Sequence, residues 1–289
     1  MMFRPVFVNN NQLPKMKKYT SGLLALTLAL AANSMVASTI DILWYVAPST
    51  PGGTNVATYE ADMLNLAAQE LNPLFNVSGS INTWNITFWD GTLTKPAGVY
   101  DVLVGGSNNG SGSYASLTSA VNASDFGSRV MLTGQDADFH YHYGRTGSAA
   151  FDGPAGFLID AINWAGSGTG MGGVLLGLSA STAINFTGET GSGASDNTVN
   201  IPGAYATYPI NTGLTSAGLS NWGTSSHDQF TISDSSLWTA INTGGAGENV
   251  TIVSAESASG GTTVPDATAT VGLLGMGFML LAGFKRRVA

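Results

Sequence analysis

No cysteine occurs among the 289 residues. That removes disulfides, thiol nucleophiles, iron–sulfur clusters and thiolate zinc sites, so the core must hold the fold without staples. Cations are nearly as scarce. Of the ten Lys and Arg, Arg4, Lys15, Lys17 and Lys18 lie near the start, and Lys285, Arg286 and Arg287 lie at the end. Only Lys95, Arg129 and Arg145 lie in 38–263, against 17 acids, a formal charge of −14 for that stretch. Such a body repels nucleic acid, whose phosphates need Lys and Arg, and it draws divalent cations. Catalytic signatures are missing too. There is no His-Glu-x-x-His and no Gly-x-Ser-x-Gly, and the run Gly166 to Gly170 lacks a phosphate-binding lysine and follows a helical pattern.

What the chain does have is concentrated at its ends. Val264-Pro265-Asp266 precedes an uncharged apolar run of 18 residues, Ala267 to Phe284, and then Lys285-Arg286-Arg287. At 1.5 Å per residue that run just spans a hydrocarbon core of about 30 Å, which predicts a transmembrane helix over 267–284. The basic cluster after it should stay cytoplasmic, placing the body outside. At the other end, Met16-Lys17-Lys18, the apolar stretch Leu23 to Ala32 and Met35-Val36-Ala37 read as a secretory signal peptide over 1–37, with Met16 its start. The body is then 38–253, followed by a Gly/Ser/Thr spacer at 254–263 and the signal at 264–289.

The C-terminal order of short Pro motif, apolar helix and basic cluster resembles the PEP-CTERM family of bacterial sorting signals, in its Val-Pro-Asp variant. That variant usually continues Ser-Gly, whereas this chain reads Ala267-Thr268. The resemblance implies that Val264, Pro265, Asp266, Lys285, Arg286 and Arg287 are read by an exosortase and the secretion machinery. It also implies delivery to the cell surface or matrix, with extracellular polysaccharide as a partner and the membrane engaged through the C-terminal helix.

Within the body, strand-like and helix-like segments alternate. Ile40 to Val46 is an apolar, β-branched and aromatic run, the profile of a strand buried on both faces. Val56, Tyr59, Met63, Leu64, Ala67 and Leu71 recur at helical spacing, ended by Asn72-Pro73. Asn85 to Trp89, Tyr100 to Val104, Arg129 to Leu132 and Val174 to Leu176 read as further strands, Ala115 to Phe126 as a polar helix. Asp152-Gly153-Pro154 opens a helix carrying Phe157, Leu158, Ala161, Ile162 and Ala165, closed by Gly166. Alternation of this kind predicts an α/β fold, a mostly parallel sheet with helices on both faces. Beyond Ser179 the signal thins into a loop-rich β extension. Ile184 to Phe186, Asn197 to Ile201, Phe230 to Ile232 and Val250 to Val253 are its strands, and Leu237 to Ile241 is a helical turn or two.

Ile40–Val46, Val102 to Gly106, Leu132 to Asp136 and Pro209 to Leu214 with His227 beyond it resemble the flavodoxin-like group of class I glutamine amidotransferase-like and ThuA-like proteins. The amidotransferase nucleophile is a cysteine, so that chemistry does not carry over.

The densest polar cluster, Gly134 to Gly144, follows a predicted strand, where α/β sheets place ligands. In an extended segment Asp136, Asp138, His140 and His142 would share one side, opposite Ala137, Phe139, Tyr141 and Tyr143. Two carboxylates and two imidazoles could hold a divalent cation such as calcium, or manganese, zinc or iron. The same residue types also build plain polar loops or sugar-binding loops. For catalysis the candidates are Asp136, Asp138 and His227, or Ser107 with His227 and an aspartate as a triad, although the nucleophile elbow is missing. Trp222 in a loop, with Tyr141 and Tyr143, is a candidate carbohydrate-stacking surface, whereas Trp89 and Trp164 read as core.

Together these features predict an exported surface or matrix protein with a non-catalytic structural or carbohydrate-binding role, no organic cofactor and no nucleic-acid partner. The alternative is an exported hydrolase with an amidotransferase-like or ThuA-like fold, metal-assisted. An enzyme should bring His227 beside the 134–144 segment. A matrix protein would scatter those residues.

Overall fold

The computed structural model describes residues 39–46, 56–70, 82–91, 93–107, 114–144, 151–177 and 182–255. The expected signal peptide, transmembrane helix and sorting motif lie outside the described residues, as does most of the spacer. Among the described residues no helix is long and apolar enough to cross a membrane.

The apolar run at the start of the body forms β1 (Thr39–Val46). Its side chains alternate between two separate cores, with Ile40, Ile42, Trp44 and Val46 in one and Leu43 and Tyr45 in the other. A strand covered on both faces needs no polar positions, which is why β1 reads as a nearly continuous hydrophobic stretch. It pairs in parallel with β2 (Thr83–Asp90) and β3 (Val102–Gly105). β5 (Met171–Leu176) then pairs with β3, and β4 (Phe126–Thr133) with β5, again in parallel. The parallel half thus runs β2-β1-β3-β5-β4. The flavodoxin-like order would be β2-β1-β3-β4-β5, so the last two strands are exchanged relative to that expectation.

Helices lie on both faces. On the first, α1 (Val56–Glu70) buries Tyr59, Met63 and Leu66, the spacing of one helical stripe. Beside it α4 (Gly156–Gly166) is buried along nearly its whole length. Its approach depends on Gly172 in β5, where a Cβ would overlap the Ala165 carbonyl. Two polar groups go down with α4. The Asn163 amide oxygen accepts from Asn82 Nδ2 at 3.2 Å and Trp84 Nε1 at 3.0 Å, but Asp160 Oδ2 has no hydrogen-bond partner. Burial pushes the Asp160 carboxyl up to about 9, so it carries its proton at neutral pH. On the second face α2 (Ala115–Ala120) sends Leu117 against Leu43, Tyr45, Trp89 and Leu103.

Beyond β4 the sheet changes sense. β10 (Asn249–Ser254) pairs antiparallel to β4 and carries β9 (Trp238–Gly244) on its other edge, with the two-residue β7 (Val199–Asn200) outside β9. The sheet also forks at β10, where the pair Asn249–Phe230 admits β8 (Ser226–Ile232), and β8 in turn pairs with β6 (Glu189–Asp196). Three local expectations fail in or beside this region. Leu237–Ile241 is not helical but opens β9, because Trp238 and Ile241 pack into the cores from a strand. Ile184–Phe186 has no strand pairing, with Ile184 buried, Asn185 exposed and Phe186 half-buried, and the strand is β6, whose sequence holds no large apolar residue. The helix expected over 115–126 stops at Ala120, and Phe126 already starts β4.

Candidate functional site

Strand β4 ends at Thr133 and the chain passes through Gly134 and Gln135 into α3 (Ala137–His142), with Asp136 at its N-cap position. Gly134 is wedged between strands. Its N–H donates to the Val250 carbonyl at 2.9 Å, and its carbonyl accepts from the His227 N–H at 2.9 Å. A Cβ at Gly134 would overlap the Asp228 carbonyl oxygen, so only glycine allows the start of β8 to come this close. That approach delivers His227 to the carboxyl end of the parallel sheet.

The segment is helical, not extended, and this regroups the four candidate ligands. A helix stacks residues four apart, so Asp136 pairs with His140 on one face while Asp138 and His142, also four apart, share another beside Tyr59. His140 Nε2 lies 3.0 Å from Asp136 Oδ1 and 2.9 Å from the Thr224 carbonyl oxygen. His227 Nε2 lies 3.4 Å from Asp136 Oδ2. One ligand atom from each of Asp136, His140 and His227 falls within 4.8 Å of the others. The side chains of Asp136 and His140 are each 2 % exposed, that of His227 37 %. Burial pushes the Asp136 carboxyl upward, but the contacts with His140 and His227 outweigh it and hold the group below its ordinary value. The Asp136 contact in turn raises His227, against the opposing effect of its partial burial.

Asp138 belongs to a different network. Its Oδ1 accepts from Ser107 Oγ at 2.6 Å, and its Oδ2 accepts from the Ser107 N–H at 2.8 Å and the Tyr59 hydroxyl at 2.6 Å. Trp44 Nε1 completes the chain by donating to the Tyr59 oxygen at 3.0 Å. Burial pushes Asp138 up to about 6, even though the Ser107 and Tyr59 hydrogen bonds pull it down. Burial and the Asp138 charge raise Tyr59 well above its usual value. Here an aspartate, not a histidine, holds the Ser107 hydroxyl, so the serine triad does not assemble. His142 Nδ1 sits 2.5 Å from Asp62 Oδ2 of α1.

The aromatic candidates divide as well. Trp222 is buried, not an exposed loop side chain; its Nε1 donates to the Gly218 carbonyl at 2.7 Å, and its ring lies 5.5 Å from His140. Tyr141 is half-buried against the first core. Tyr143 stays exposed beside the rings of Phe139 and His142. The structure therefore joins Asp136, His140 and His227, turns Asp138 and His142 away from them, and packs the Trp222 ring against His140. Sequence reading missed Thr224, for which no local pattern gave a signal, and named Gly134 only as the start of the polar cluster.

Residues 263–288 match the VPDSG-CTERM motif, which bears out the likeness of the tail to the PEP-CTERM sorting signals. The chain is thus sorted as an exported protein through its C-terminal signal, one handled by an exosortase. No curated protein and no solved structure matches the chain.

Proposed function

We propose that the protein is a surface or extracellular-matrix component, anchored by its C-terminal helix until an exosortase processes it, and that its body serves a non-catalytic structural or carbohydrate-binding role. The VPDSG-CTERM match at 263–288 carries the export and sorting part of this reading. The 17 acids and three cations between the termini suit a hydrated, anionic exterior. With Trp222 buried, the exposed ring of Tyr143 is the remaining stacking surface for a sugar. The test is cell fractionation in a host that has the sorting enzyme. The natural chain should appear processed in the surface fraction, and a Pro265→Ala, Asp266→Ala variant should accumulate as membrane-bound precursor. Full-length protein in the cytosol would end the proposal.

A second reading, an exported hydrolase, is favoured by one observation: His227 stands beside the buried Asp136, at the carboxyl ends of the parallel strands. A buried carboxylate that orients a half-exposed imidazole is the arrangement of a general base. Equal turnover by the natural chain and a His227→Ala variant, across ester and glycoside substrates, would exclude it.

A further inference from the structure

We propose that Asp136, His140 and His227 form a binding site for a divalent first-row transition ion, with zinc the leading candidate and calcium excluded. Their separations fit one ion. Ligands about 2.0–2.1 Å from a tetrahedral zinc lie roughly 3.3 Å from one another. The observed gaps are 3.0 Å from His140 Nε2 to one Asp136 oxygen and 3.4 Å from His227 Nε2 to the other, and one ligand atom from each of the three residues lies within 4.8 Å of the others. The Thr224 carbonyl oxygen lies 2.9 Å from His140 Nε2.

An independent observation points the same way. Both Asp136 oxygens are buried without a hydrogen bond, since the two ring nitrogens beside them are close but out of line as donors. A buried carboxylate left in that condition is costly. The cluster is rich in acceptors and short of protons, because His140 Nε2 has one hydrogen at most for both the Thr224 carbonyl and Asp136. A cation held by the two imidazoles would give the Asp136 carboxylate the positive partner it lacks. Two imidazoles select a late first-row ion over calcium, which takes six to eight oxygens. His227 is the exposed member, so the ion arrives from its side, and the −14 body concentrates cations there. Trp222, itself buried, packs its ring 5.5 Å from His140.

The site shares Asp136 and His227 with the hydrolase reading but does not depend on turnover. It could stabilise a matrix protein, or it could activate water in a hydrolase, so the absence of turnover leaves it intact. The test is titration of the untagged full chain with zinc, cobalt and calcium, read by calorimetry and by the visible spectrum of bound cobalt. One zinc per chain, the intense bands of four-coordinate cobalt and no heat with calcium are expected. Losing an outer-shell partner alone costs about 10–100-fold in affinity, so His227→Ala should exceed that. His142→Ala, whose ring is held by Asp62 outside the cluster, should bind as the natural chain does. Folding of the His227 variant is checked by circular dichroism, and the cobalt spectrum of the natural chain needs no variant. Absence of zinc binding, a six-coordinate cobalt spectrum, or equal loss in the two variants would overturn the proposal.

Discussion

Asp160 shows what one side chain can do in a core. It lies on α4 among apolar neighbours, with one carboxyl oxygen unpartnered, and burial alone pushes it up to about 9. An unfolded chain would release that proton near pH 4. The folded state therefore holds one more proton between about pH 4 and 9, and stability falls as pH rises across that window. The slope from this group is about 1.4 kcal/mol per pH unit. Asp160→Asn removes it. Urea midpoints at pH 5 and 8 should lie closer together in the variant than in the natural chain, mainly because the variant is stronger at pH 8. An unchanged gap would mean that Asp160 is already ionised in the folded protein. At the same scale, a carboxylate clamped by two imidazoles and one bonded to Ser107 and Tyr59 sit two positions apart, yet their protonation moves in opposite directions.

At the scale of elements, one misassigned period redistributed a whole set of ligands. An alternating row of Asp and His has the same composition whether its segment is a strand or a helix. As a strand it would present four ligands together, and as α3 it presents Asp136 with His140 and turns Asp138 and His142 elsewhere. The same limit governed β9, where a short apolar stretch fits a helical turn as well as a strand, and cross-strand pairing with β10 decided it. β6 was invisible for a simpler reason: Glu-Thr-Gly-Ser-Gly-Ala-Ser-Asp contains no hydrophobic alternation, and its order comes from pairing with β8. The junction of β4, β8 and β10 at Gly134 is the most constrained of these contacts. Gly134→Ala should lower unfolding free energy by about 1–3 kcal/mol, measured by denaturant titration. It should also weaken zinc binding, since His227 is carried by the displaced strand.

For the whole molecule, charge and burial act together. Glu189 is pushed up to about 7 by burial, Asp160 to about 9, and the acidic excess repels itself more strongly as these groups ionise. All three effects make the folded body weaker as pH rises, so its melting temperature should drop between about pH 5 and 8. Calorimetry at matched ionic strength checks this, and a melting temperature that climbs over that range would contradict it.

The elements of the parallel half and the sorting signal were legible along the chain. A strand buried on both faces must be apolar throughout, an amphipathic helix must repeat its stripe, and a signal read by an enzyme must be contiguous. β1, α1, α4, β5 and the 263–288 motif were legible for those reasons. Only the tertiary structure decided the exchange of β4 and β5, the fork at β10 and the meeting of His227 with Asp136. Those are pairings between distant segments. They are set by which edges and cores are left to fill once the local elements exist, and no spacing along the chain records them.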